Sequence, residues 1–285
     1  MRVLILGKNG MLGHDMEKVF SDTDMVALGF LDLDITDKEA VFETFMSIQP
    51  DIVINCTGFT DVDGAEKEEE RANTINGYAV GVLARACREI DATLVHFSTD
   101  YVFHGDKKSG YNEEDGANPI NAYGRSKLLG EQLIFDEMES IDPAAPKEGK
   151  YFIIRTSWLY GDHGSNFVET MMELSKGKET LRVVDDQFGK PTYTVDLCEQ
   201  TKWLVTSHEY PSGVYHITNE STTTWFRFAK KIFELSKMKT RVVPCGTDEF
   251  KRPARRPKYS GLTNNMLPKL RPWEEALQDY LSSRT

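Results

Sequence analysis

Short apolar blocks and amphipathic stretches take turns along the first half of the chain. Val3–Leu6 is an apolar run that ends in glycine, and residues 12–20 follow at helical spacing. Met25–Leu28 reads as a second strand. A helix over residues 35–48 opens at Thr36-Asp37 and stops before Pro50. Asp51–Asn55, Thr93–Phe97 and Tyr151–Arg155 read as further strands, with helices predicted over 72–90 and 123–138 between them. The central strands are nearly continuous apolar runs, as suits strands covered on both faces. The alternation predicts an α/β fold, a doubly wound, Rossmann-type parallel sheet.

The rhythm changes near Trp158. Glycine and proline become more frequent, as in Tyr160-Gly161 and Gly189-Lys190-Pro191, and Trp225, Phe228, Ala229, Ile232 and Phe233 mark an amphipathic helix. Val214–Ile217 and Arg241–Val243 read as short strands flanking it. The expectation is a dinucleotide-binding domain over 1–157 and a second, smaller mixed α/β domain over 158–285 for the substrate. A segment near 189–218 is expected to return to the first domain. Residues 141–149 read as a loop insertion.

Composition narrows the class of function. A formal net charge of −11 over 285 residues argues against nucleic-acid binding by phosphate neutralisation. It leaves room for an anionic ligand in a local basic pocket. No apolar run is long enough to span a bilayer, and no secretory leader precedes the first strand. Cys56, Cys87, Cys198 and Cys245 are far apart, which favours neither a disulfide framework nor structural zinc. A cytoplasmic protein is expected.

The chemistry concentrates in three places. Gly7, Gly10 and Gly13 lie between a strand and a helix, where glycine allows a tight turn and close approach of a pyrophosphate. An ordinary strand-to-helix turn would also use glycine. Tyr123 and Lys127 stand four residues apart, on one face of a helix. A cation beside a phenol favours the phenolate, which would make Tyr123 a proton donor and acceptor near neutral pH. Thr99 lies just past the end of the fourth strand, where open α/β sheets bind ligands, and its hydroxyl could polarise a carbonyl. Alone, a Tyr-x-x-x-Lys pair is most often a surface pair; the glycine turn and Thr99 make it a candidate catalytic pair.

The glycine spacing resembles the fingerprint of extended short-chain dehydrogenases/reductases. Within that superfamily Ser98–Phe103, Arg155–Tyr160, Asn166-Phe167, Asp186-Gln187 and Arg256-Pro257 resemble the dTDP-4-dehydrorhamnose reductase branch. The resemblance implies NADPH-dependent reduction of a 4-keto nucleotide sugar, with NADH as the alternative cofactor. It assigns Gly10, Met11, Leu12, Asp34, Ile35, Gly58, Phe59, Thr60, Tyr123 and Lys127 to the dinucleotide, with Tyr123 also the acid. Lys127 would hold the nicotinamide ribose, and Lys8 could meet a 2′-phosphate. Thr99, Asp100 and Trp158 would face the sugar. Asn166 is a sugar or phosphate contact or else a helix cap, and Arg256 a diphosphate clamp or a solvated loop residue.

Related dehydratases carry Asp-Glu after the threonine, because elimination needs an acid/base pair. Here Asp100-Tyr101 stands instead, so simple reduction fits better. Some members bind Mg²⁺ through acids at a dimer contact. Asp15 and Glu274 match two such positions, but Val195 replaces the third acid, so no metal is predicted. A monomer or homodimer remains open. The acidic run 66–70 reads as a solvated helix face, with Glu66 a candidate for orienting a loop. Two further readings stand beside the leading one. One is a reductase of another 4-keto-6-deoxy nucleotide sugar. The other is a non-catalytic partner, since the regulatory subunit of methionine adenosyltransferase resembles this branch.

Overall fold

The computed structural model describes residues 1–139 and 149–284. The strands are β1 (Arg2–Leu6), β2 (Asp24–Leu28), β3 (Ile52–Asn55), β4 (Thr93–Thr99), β5 (Tyr151–Thr156), β6 (Leu159–Tyr160), β7 (Thr180–Val184), β8 (Phe188–Gly189), β9 (Thr192–Tyr193), β10 (Gly213–His216), β11 (Thr223–Thr224) and β12 (Arg241–Cys245). The helices are α1 (Met11–Val19), α2 (Lys38–Ile48), α3 (Val62–Ala65), α4 (Glu69–Asn73), α5 (Ala79–Glu89), α6 (Ala122–Met138), α7 (Phe167–Ser175), α8 (Thr194–Ser207), α9 (Trp225–Leu235) and α10 (Trp273–Ser282).

Six parallel strands form the main sheet in the order β10-β5-β4-β3-β1-β2. Leu6 pairs with both Leu28 and Asn55, so β1 lies between β2 and β3. Strand order reverses direction there, which makes the carboxyl ends of β1 and β3 the topological switch point. Side chains alternate along β1. Leu4 and Leu6 enter one core with Val41, Phe45, Leu83 and Ile134. Val3 and Ile5 enter the other with Leu12, Met16, Leu197 and Leu204. A period of two on a sheet covered by helices on both faces requires that division.

A third core forms around Tyr160, Phe228, Ile232, Trp273 and Tyr280. It joins α7, α9 and α10, while β7 and β12 pair in parallel beside them. Between these pieces the chain goes back to the main sheet: Leu197 and Leu204 of α8 pack in the second core, and β10 pairs with β5.

Local chemistry moved some boundaries. Asp37 accepts from the Ala40 N–H, so the helix expected from 35 starts at Lys38. The helix expected over 72–90 is interrupted by a π-helical turn at Thr74–Tyr78. The loop expected at 141–149 lies, except for Gly149, outside the described residues.

Candidate active site

The glycine turn is built for close backbone approach. Gly7 has φ +87°, and a Cβ there would stand 3.0 Å from the carbonyl carbon of Cys56 and the nitrogen of Thr57. A Cβ at Gly13 would lie 2.1 Å from the Gly7 carbonyl oxygen. No side chain caps α1 at Gly10, and no acid sits in its first turn. The first i→i−4 bond runs from His14 N–H to Gly10 O, which leaves the Met11, Leu12 and Gly13 N–H groups without an intrahelical acceptor. A bare helix N-terminus attracts anions, so these residues fit a pyrophosphate.

Gly58, Phe59 and Thr60 leave the end of β3 beside that turn. Asn76 pins them, and the sequence held no signal for it. Its carboxamide accepts from Phe59 N–H at 2.8 Å, donates to Phe59 O at 3.0 Å and donates to Ser126 Oγ at 2.9 Å. Asn76 lies in the π-helical turn, and a Cβ at Gly130 of α6 would strike its carbonyl at 2.2 Å. The wide turn thus seats a buried amide between the β3 loop and α6.

The start of α6 is closed on all sides. Asn121 Oδ1 accepts from Gly124 N–H at 2.7 Å, and Glu66 Oε1 accepts from Ala122 N–H at 2.8 Å. A Cβ at Gly124 would meet Tyr101 O at 2.1 Å, so the helix start lies directly against the turn after β4. That contact brings Tyr123 beside Thr99 and Tyr101. The Tyr101 and Tyr123 rings meet edge-on at 5.9 Å. The acidic run 66–70 is largely exposed, and two of its acids also reach α6: Glu66 caps it, and Glu69 pairs with Arg125 at 2.8 Å.

The electrostatics differ from the expectation in one respect. Burial pushes the Tyr123 phenol up to about 12; the Thr99 hydroxyl opposes this and the Asp100 charge adds to it. Lys127 does not act on the phenol in this state. Burial brings its ammonium down to about 8, while Glu131 and Cys56 pull the other way. A Cβ at Gly58 would stand 3.7 Å from Lys127 Nζ, so the ammonium faces the β3 loop. Tyr123 is thus a neutral phenol at physiological pH. Asp100, 2% exposed, is pushed up to about 7 by burial, against the hydroxyls of Ser260 and Thr99. The Thr99 hydroxyl donates to Asp100 Oδ1 at 3.1 Å.

Beneath the site, Glu131 holds Arg155 through two hydrogen bonds, at 3.0 and 2.6 Å, and accepts from Ser98. The pair is fully buried, and it binds α6 to β4 and β5 just below Lys127 and Thr99.

All 285 residues match the family described as RmlD substrate binding domain. The chain belongs to the RmlD substrate-binding-domain family. It is similar to the spore coat polysaccharide biosynthesis protein SpsK of Bacillus subtilis (strain 168), at 40% identity over 100% of this chain and 98% of that one. The dTDP-4-keto-6-deoxy-D-glucose reductase of Streptomyces niveus is 39% identical, with 97% and 95% covered. A crystal structure of dTDP-4-dehydrorhamnose reductase from Bacillus anthracis, in complex with NADP, superposes with a TM-score of 0.92 at 41% identity, covering 99% of both chains.

The residues that the RmlD resemblance offered for the sugar and cofactor fare differently. Trp158 has φ +48° and stacks on Trp225 at 3.4 Å, two residues beyond Thr156, which pairs with Thr99. Arg256 is ion-paired to Asp63 at 2.6 Å and borders Tyr101, so it is a held group rather than a solvated one. Asn166 is a helix cap. Its Oδ1 accepts from Glu169 N–H at 3.1 Å, and its amide donates to Gly161 O at 2.9 Å. Ile35 is buried in the first core, and Asp34 accepts from the Thr36 N–H and hydroxyl. Of the RmlD acid positions, Asp15 is buried, accepting from Thr194 and pairing with Lys18 at 3.2 Å, while Glu274 opens α10. Val195 packs against the third core.

Proposed function

We propose that the chain reduces the 4-keto group of dTDP-4-dehydro-L-rhamnose to the alcohol, giving dTDP-L-rhamnose. The observation that carries this is the neutral, buried Tyr123 beside Thr99, with Lys127 one turn away facing the loop that follows β3. Family membership and the NADP-bound relative support the same reading. NADPH, or NADH in its place, supplies the hydride when bound. The first turn of α1 holds the pyrophosphate with Gly7, Gly10, Met11, Leu12 and Gly13. Gly58, Phe59 and Thr60 line the same groove from β3. Lys127 donates to the ribose hydroxyls. Tyr123 gives its proton to the carbonyl oxygen, and Thr99 donates a hydrogen bond to that oxygen as charge develops on it.

Burial suits that direction of transfer, because a phenol with a raised pKa keeps its proton until the oxygen can take it. Asp100 and Trp158 meet the sugar, and Arg256 faces the diphosphate with the N–H groups that Asp63 leaves free. Asn166 drops out, since its Oδ1 caps α7 and its amide nitrogen holds the Gly161 carbonyl. The unit over 1–157 binds the cofactor and most of 158–285 the sugar, in a protein of the cytoplasm.

One assay tests the reading: protein, NADPH and dTDP-4-dehydro-L-rhamnose, followed by absorbance of the reduced nicotinamide. Turnover with release of dTDP-L-rhamnose is the expected result. Folded protein that consumes no NADPH or NADH would leave only a binding role. A second reading is reduction of another 4-keto-6-deoxy sugar, favoured by the equally similar Streptomyces niveus relative. Product stereochemistry in the same assay separates the two.

A further inference from the structure

Among the described non-glycine residues with left-handed backbone, Trp158 is the largest, at φ +48°. That conformation is strained for a bulky side chain and persists only where the surroundings over-determine it. Here they do. The Ser157 hydroxyl donates to Lys190 O at 2.7 Å, and Trp158 O accepts from Thr192 N–H at 3.2 Å. The indole lies so close to β8 that a Cβ on Gly189 would stand 2.5 Å from it. The Trp225 indole covers it at 3.4 Å, tilted by only 8°.

Trp225 is itself fixed. It opens α9, whose cap Thr224 accepts from Arg227 N–H at 3.2 Å. Thr223 and Thr224 pair with Gly189 and Phe188, so the strand contact that places Trp225 also sets the glycine against Trp158. Phe167 packs on the Trp225 ring at 4.5 Å, and Trp225 rests on the third core. Trp158 follows β5, two residues beyond Thr156, which pairs with Thr99. The stacked pair therefore joins the Thr99 end of the main sheet to the third core. Both indoles stay half-buried, which leaves part of the pair open.

We propose that Trp225 is a positioning residue for sugar recognition, holding the Trp158 indole as a preset apolar wall for a 6-deoxyhexose. The proposal rests on the reading that Trp158 meets the sugar, and it names the residue through which that contact is made rigid. A ring already held in its strained pose need not be ordered when the sugar arrives. Without the flat face of Trp225, Trp158 relaxes toward ordinary backbone angles, and the sugar has to order it again. Trp225 acts only through Trp158.

The test is binding, read by calorimetry with dTDP-L-rhamnose and with dTDP alone. Trp158→Ala should weaken dTDP-L-rhamnose by roughly three- to tenfold, the scale of one aromatic contact, and leave dTDP unchanged. Trp225→Leu keeps an apolar side chain against Phe167 and the third core but offers no flat face. It should reproduce the sugar-specific loss, and Trp225→Phe should recover most of it. The Trp158→Ala/Trp225→Leu double variant should bind no more weakly than Trp158→Ala, because the two residues act as a unit. Gly189→Ala displaces the indole with Trp225 intact and should show the same loss. Far-ultraviolet circular dichroism of the wild type should carry the exciton couplet of two stacked indoles, and both single variants should lack it. Equal losses for dTDP and dTDP-L-rhamnose in folded Trp225→Leu would make Trp225 merely structural and overturn the proposal. Additive losses in the double variant would overturn it as well. Wild-type affinity for dTDP-L-rhamnose in Trp158→Ala would overturn the sugar contact, and the positioning role with it. Protein that shows the expected binding pattern but consumes no NADPH or NADH would lose the reductase reading and keep this one.

Discussion

Two helices begin at the same end of the sheet and are finished in opposite ways. The first turn of α1 has no side-chain cap and no acid, and it stays open. The first turn of α6 is capped by Asn121 and again by Glu66, and its glycine rests on the Tyr101 carbonyl. An open N-terminus keeps its N–H groups and partial positive charge for a ligand. A closed one uses them internally and gains a fixed position. In the proposed function α1 is therefore the anion seat, and α6 the rigid mount for Tyr123 and Lys127.

The sharpest way to separate the two roles is Tyr123→Phe. It removes the proton donor from the mount and leaves the seat untouched. The rate of sugar reduction should fall by about 10²-fold or more, the scale of general acid catalysis, while NADPH affinity stays near wild type. Steady-state kinetics and fluorescence titration on one preparation check this. Near-wild-type turnover would mean that the acid lies elsewhere.

A smaller effect comes from pH. Lys127, held near 8 by burial, loses its charge more than two units earlier than an exposed lysine. NADPH affinity should therefore fall as pH rises above 8, and Lys127→Met should be weak and flat across the same range. Stability moves the opposite way. Between about 8 and 10.5 the unfolded lysine still holds a proton that the folded one has lost, so stability rises with pH through that window. Buried thiols and phenols with raised pKa, such as Cys87 and Tyr123, act against it in the same window, so the lysine's part is read as the difference between wild-type and Lys127→Met melts from pH 7 to 10.5.

The smallest effects invert the caps. Gly10→Asp places a carboxylate at the open terminus, where the backbone is extended and a Cβ meets only the Gly7 carbonyl at 3.4 Å. Stability should rise by up to ~1 kcal/mol while NADPH binding weakens. Asn121→Ala uncaps α6 and should cost ~1 kcal/mol, with a loss of kcat larger than any change in NADPH affinity. If both variants changed stability and binding alike, the distinction between seat and mount would fail.

Much of this was legible along the chain. Buried parallel strands write themselves as short apolar runs, and the glycine turn is a local requirement of strand, turn and helix. Tyr123 and Lys127 share a face because four residues make about one helical turn. Other parts had no local signature. Asn76 acts on Phe59 and on Ser126, 50 residues away. Arg256 finds Asp63 across 193 positions. Asn166 fits a cap and a ligand contact equally well until Glu169 and Gly161 claim it.

Periodicity, turn chemistry and side-chain spacing are short-range properties, and from them follow the order of elements and the identity of the Tyr123–Lys127 pair. Burial and partnership are long-range properties, and they arise when distant segments pack. Packing made Tyr123 a neutral phenol rather than one eased by Lys127, and turned Lys127 toward the β3 loop. Charge in a protein depends on what excludes water around it, and that is known only once the chain has closed on itself.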